Sequence, residues 1–103
     1  MSLLRTTFLA SFFTANWLLL PAGQAEVTRG EMLANSCAAC HGTDGQGSKR
    51  IPRINDLGVA DTIELMKSFK EGGGGGTVMN RHAPGYTDEE IRLIAEHFAK
   101  IAK

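Results

Sequence analysis

Ile91, Ile94, Ala95, Phe98 and Ile101 fall on one face of a 3.6-residue helix, with Arg92, Glu96 and Lys100 among the positions between them. Thr87 stands where the N-cap would be, and Glu90 lies three residues later. That pairing predicts a capping box, with Tyr86 and Ile91 at the spacing of a hydrophobic staple. The same signals predict two earlier helices. One begins at Thr28, with Glu31 as its box partner and Val27 and Met32 as its staple, and runs to about residue 41. The other begins at Asp61 with Glu64 and carries Leu65, Met66 and Phe69 at helical spacing. It stops at Gly72, which suits the left-handed residue past a helix end. No segment alternates long enough for a strand. The expectation is an all-α fold of three or more helices.

Between these helices the pattern lapses. Residues 41–58 carry Gly42, Gly45, Gly47, Pro52 and Gly58 with no sustained period, and Gly72 to Gly76 are consecutive glycines. Two readings of that run stand side by side: a flexible linker, or a backbone that must pass close to something large and flat.

Thr6 to Leu20 form an apolar run after a single charge, Arg5, and end at Pro21. Gly23 and Ala25 suit the small-residue positions before a cleavage point. The run is short for a membrane span, which takes about 20 residues. The expectation is a signal peptide over residues 1–25, cleaved after Ala25, and one domain over residues 26–103, with an uncleaved anchor as the alternative. No cysteine lies near the cleavage point, so a lipoprotein is not expected. There is no twin arginine, so export of the unfolded chain is expected.

Cys37-Ala38-Ala39-Cys40-His41 carries the chemistry. Two thiols three positions apart, followed directly by an imidazole, form the attachment pattern of c-type haem. On one helical turn each sulfur can reach a porphyrin vinyl group and form a thioether. His41 then lies under the iron as a proximal ligand. A thioredoxin-like dithiol would need a βαβ setting, which is missing. Structural zinc would need four ligands, and only His82 and His97 remain to complete a set. A Cys37–Cys40 disulfide is the remaining alternative.

Composition bounds the rest. The full chain holds 11 basic and 11 acidic residues, and losing Arg5 leaves the mature chain close to neutral, which argues against a nucleic-acid partner. A domain this small buries only a little over ~60% of its unfolded-chain surface, and covalent haem would serve it as extra core.

A low-spin carrier needs a sixth iron ligand, usually Met or His. The candidates are Met32, Met66, Met79, His82 and His97. Met32 and Met66 sit on apolar helix faces and read as core, and His97 reads as half-exposed. Met79, in a loop, is the favoured ligand, and His82 is its rival. A thioether ligand raises the reduction potential relative to two imidazoles.

These features resemble a class I c-type cytochrome over nearly all of residues 26–103. More narrowly, Cys40-His41-Gly42-Thr43-Asp44-Gly45, Met79-x-x-x-Ala83-x-Gly85-Tyr86-Thr87, Asn35-x-Cys37-Ala38-x-Cys40 and Phe69-Lys70-x-Gly72 are similar to the haem domains of flavocytochrome c, the sulfide dehydrogenase of sulfur-oxidising bacteria. The resemblance implies Cys37 and Cys40 as thioether anchors, His41 and Met79 as axial metal ligands, and the Pro52 carbonyl as acceptor of a hydrogen bond from the His41 ring. It places Gly30 and Phe98 where the first and last helices cross. The glycine run before Met79 departs from the pattern.

By that resemblance the chain is a periplasmic electron-transfer protein with one haem. It would be the single-haem cytochrome subunit that accepts electrons from a flavoprotein, with FAD held only by that partner and no substrate chemistry on this chain alone. A free soluble carrier moving electrons between respiratory or photosynthetic complexes is the alternative. A haem enzyme or gas sensor would need an open sixth site, against which Met79 argues. Arg29, Lys49, Arg50, Arg53 and Arg81 are the basic candidates for haem propionates, with Arg53 and Arg81 preferred.

Overall fold

A computed structural model describes residues 23, 25–76 and 78–102. The expected signal segment lies outside these residues except for Gly23 and Ala25, both exposed. The described chain is all-α. Helix α1 spans Arg29–His41, α2 Val59–Lys70, α3 Met79–His82 and α4 Asp88–Ile101, with a 3-10 turn over Ala83–Gly85 between the last two. Among the described residues no helix is long and apolar enough to cross a membrane.

Helix α4 is the spine. Its start is a complete capping box: Thr87 Oγ1 accepts from the Glu90 amide at 3.1 Å, and the Glu90 carboxylate accepts from the Thr87 amide at 3.0 Å. Ile91, Ile94, Ala95 and Phe98 are buried, as the periodicity required. Ile94 and Phe98 pack with Ala34 of α1, while Ile91 packs with Met66 of α2 and with Ala83.

Helix α1 lies against α4 on a stripe of small residues. A Cβ at Gly30 would stand 2.8 Å from the Leu93 carbonyl oxygen, so the absent side chain permits the approach. The nearest neighbours of Gly30 are thus Leu93 and His97, and Phe98 packs further along, against Ala34. The buried stripe of α1 is Gly30, Ala34 and His41. Met32 lies about 200° around the helix from Gly30, which explains why it is 58% exposed rather than part of the core. Val27, at 53% exposed, forms no buried staple with it. The capping box of α1 is half made: Thr28 Oγ1 accepts from the Glu31 amide at 3.2 Å, and no return bond from the Glu31 carboxylate is present among the described residues.

Helix α2 starts two residues before the expected Asp61. Gly58, at φ +75°, is its N-cap, and the Gly58 carbonyl accepts from both the Thr62 amide and the Thr62 hydroxyl. Asp61 then falls in the first turn, where its charge suits the helix dipole. At the other end Gly72 has φ +84°. The Gly73 amide reaches back to Ser68 O and the Gly72 amide to Phe69 O, the paired bonds of a Schellman termination. Lys70 then joins α2 to the start of α4, donating to the Tyr86 carbonyl at 2.8 Å and lying 3.5 Å from Asp88.

The segment read as a methionine loop is instead the short helix α3. A four-residue helix leaves no hydrophobic period to detect. It has no side-chain N-cap bond and is anchored behind by Ala83, which is fully buried.

Candidate functional site

The helices enclose a largely apolar cleft of about 600 Å³. Cys37, Cys40 and His41 reach it from the last turns of α1. Leu65, Met66 and Phe69 line it from α2, Ile94 and Phe98 from α4, and Met79 and His82 from α3. The loop after α1 closes one side with Pro52 and Ile54, and Gly74 to Gly76 border another. Five residues singled out from sequence, Cys37, Cys40, His41, Pro52 and Met79, therefore border one cavity. So do Met66 and His82; Met32 and His97 do not.

His41 is buried, and its Nδ1 donates to the Pro52 carbonyl at 2.6 Å. A carbonyl can only accept, so Nδ1 carries the proton and Nε2 keeps its lone pair for a metal. The loop that brings Pro52 to the ring is itself bonded. Gly47 donates to His41 O at 2.7 Å, Ser48 to Ile51 O at 2.8 Å and Ile54 to Gly45 O at 2.8 Å.

Both cysteines are free thiols, Cys40 exposed and Cys37 partly buried. Burial pushes the Cys37 thiol up from its ordinary value, outweighing the lowering from the neighbouring Ser36 hydroxyl. A nucleophilic dithiol needs a depressed thiol pKa, so the setting of Cys37 opposes the thioredoxin-like reading. Among the described residues no three His, Cys, Asp or Glu side chains are grouped to hold a metal ion.

The glycine run is a shaped segment. Gly72, Gly74 and Gly75 have positive φ. A Cβ on Gly74 or Gly76 would stand 2.5 or 2.7 Å from Cε1 of Phe69, so this backbone lies against that ring. Asn80 Nδ2 donates to Gly73 O at 3.2 Å and ties the run to α3. Asn80 Oδ1 is buried with no partner among the described residues.

His82, the rival ligand read from the sequence, does share the cleft with Met79. Two features of the cleft carry no signal in the sequence. The periodicity places Phe69 on a helix face and says nothing of its contact with the glycine run. The Tyr86 hydroxyl bonds the Ser36 hydroxyl, and Ser36 in turn donates to Leu33 O at 2.9 Å. The residues are fifty apart, so no local signal exists. Of the basic candidates, Arg50 and Arg53 line the cleft. Arg81 is exposed and does not line it, and Arg29 instead pairs with Glu90 at 3.1 Å.

The cleft suits a flat apolar group held at two thiols and at an imidazole fixed through its far nitrogen. Comparison with known proteins agrees. The family model described as cytochrome c matches residues 27–101. The chain is 50% identical over 76 residues to the cytochrome subunit of sulfide dehydrogenase from Chlorobaculum tepidum, covering 74% of this chain and 69% of that one. It is 33% identical over 78 residues to cytochrome c-554(548) of Halomonas halodenitrificans, covering 72% of this chain and 94% of the relative. Cytochrome c-553 of Helicobacter pylori is 32% identical over 69 residues, covering 63% and 70% of the two chains.

Proposed function

The chain belongs to the cytochrome c family, and on that footing we propose that it is a periplasmic electron carrier, the cytochrome subunit that accepts electrons from a flavin-containing sulfide dehydrogenase. The observation that carries the reading is the convergence of Cys37, Cys40, His41 and Met79 on one apolar cleft, with the His41 ring held by Pro52. The name of the Chlorobaculum tepidum relative supports the sulfide-oxidising assignment.

In this reading Cys37 and Cys40 would hold haem c through thioethers, and His41 and Met79 would supply the ligands to its iron. Bound there, haem supplies reversible one-electron oxidation and reduction of its iron. The protein's own part is fourfold. The thiols fix the group. Pro52 fixes the tautomer of His41 and strengthens it as a donor. Leu65, Phe69 and Phe98 keep water from the ring. Met79 would ligate the iron on the other face, which would leave no site for substrate chemistry. Oxidation of sulfide then belongs to a flavoprotein partner, where FAD resides. Residues 1–25 direct export and are removed, leaving residues 26–103 as the haem domain without a membrane span.

A free soluble carrier is the second reading. It is favoured by the match to cytochrome c-554(548), 94% of whose length this chain covers. The visible spectrum of the protein purified gently from its native compartment separates the two. Haem and flavin bands together, with haem reduced on adding sulfide, fit the subunit. Haem alone, unresponsive to sulfide, fits the free carrier. Absence of haem from the purified protein would overturn both.

A further inference from the structure

His82 borders the same cleft as Met79, and the function proposed above leaves it without work. The two side chains belong to one helix, Met79–His82. At a spacing of three residues they share a helix face, about 4.5 Å apart along the axis. Asn80 and Arg81, between them, do not line the cleft. Helix α3 therefore turns two side chains to the cavity, and each carries an atom that haem iron accepts, a thioether sulfur or an imidazole nitrogen.

The surroundings leave the imidazole uncommitted. No hydrogen bond to the His82 ring is present among the described residues, and the residue is exposed. Its place in the chain is also favourable. Ala83, next along, is fully buried against Met66 and Ile91 and fixes the C-terminal end of α3. The N-terminal end has no side-chain cap and follows the glycine run. The buried Ala83 therefore holds the adjacent His82 beside the cleft.

We propose that His82 is a standby axial ligand. When the Met79 thioether cannot bind, the His82 imidazole takes the sixth position and keeps the iron low-spin. This rests on the haem reading above. It adds a second ligand set, His41 with His82, to the set His41 with Met79. The rival within the cleft is Met66, which is 8% exposed and packed in the core of α2. A thioether from Met66 would differ from an imidazole in its spectrum.

The test uses the holoproteins of Met79→Ala and of Met79→Ala with His82→Ala, read by visible absorption and electron paramagnetic resonance beside the wild type. Covalent haem is stained separately on denaturing gels, so a failure of the haem reading shows as unstained wild-type protein. The expected result is that Met79→Ala loses the iron–sulfur charge-transfer band yet stays low-spin with a two-imidazole signature, and that the double variant loses the low-spin signature. A high-spin Met79→Ala protein overturns the proposal. So does a low-spin one that keeps a thioether signature, or a double variant that stays low-spin. Where the alanine variants do not accumulate, Met79→Leu with and without His82→Ala preserves the volume of the α3 face and gives the same two outcomes.

Discussion

The Nδ1 atom of His41 lies 2.6 Å from the carbonyl oxygen of Pro52 and donates to it. This one bond connects the last residue of α1 to the far side of the loop that follows, and it sets which nitrogen of the ring keeps a free lone pair. An imidazole whose N–H is hydrogen-bonded is the stronger donor and favours the oxidised metal. The loop conformation that presents Pro52 therefore bears on the reduction potential as well as on stability.

Gly47→Ala tests that link. Gly47 has φ +70°, and a Cβ there would stand 2.6 Å from both the Arg53 amide nitrogen and the Ile51 carbonyl oxygen. The left-handed conformation alone costs about 1–2 kcal/mol for alanine, and the contacts push residues 51–53 away from His41. The expected outcome is lower stability in denaturant unfolding, together with a reduction potential above that of the wild type. Lower stability at an unchanged potential would mean that the His41–Pro52 bond survives.

The two ends of the α1–α4 pair offer a comparison of caps. Thr87 takes part in two reciprocal bonds, whereas Thr28 makes only the bond from Glu31. Thr87→Ala is expected to cost about 1 kcal/mol or somewhat more, which lowers Tm by about 4–8 °C in a domain of this size. Thr28→Ala is expected to cost less. Thermal unfolding of the two variants side by side checks the order.

Phe98 is 1% exposed and packs with Ala34 and Ile94 beneath the cleft. Phe98→Ala removes a ring that also covers Gly45, whose missing Cβ would stand 2.8 Å from it. The expected loss is about 3–5 kcal/mol, large against the total stability of a small domain. Denaturant midpoints and the yield of haem-stained protein measure it.

How much of this was legible in advance depended on how local each signal is. Helix α4 carries a full apolar stripe from Ile91 to Ile101 behind a capping box, and its limits could be read almost to the residue. Helix α2 could be read as a helix, but Asp61 and Glu64 imitate a capping box while the chain actually turns at Gly58. Helix α1 buries Gly30 and Ala34, residues too small to mark a hydrophobic face, so the larger Met32 looked like the core residue. Helix α3, at four residues, is barely one helical turn and offers no repeat to read. The pentapeptide from Cys37 to His41 is contiguous and could be recognised as a unit. The support of the glycine run by Phe69 and the Tyr86–Ser36 bond arise only when distant segments meet.

The glycine run yields the last prediction, because two adjacent positions separate its two readings. Gly74 and Gly75 both have positive φ, +70° and +65°, so an alanine at either one pays a similar conformational cost of about 1–2 kcal/mol. They differ in what a Cβ would meet. At Gly74 it would stand 2.5 Å from Cε1 and 2.6 Å from Cδ1 of Phe69, and at Gly75 it meets nothing within 4 Å. If the run is a mere linker, the two substitutions should act alike and leave the iron–sulfur band in place. If the run is held against Phe69, Gly74→Ala must displace either the ring or the backbone. Phe69 packs in the same cluster as Met79, so the disturbance reaches the proposed ligand. The expected outcome is that Gly74→Ala destabilises more than Gly75→Ala and weakens the iron–sulfur charge-transfer band, while Gly75→Ala lowers Tm with the band intact. Thermal unfolding and the visible spectrum of the two holoproteins decide between these readings.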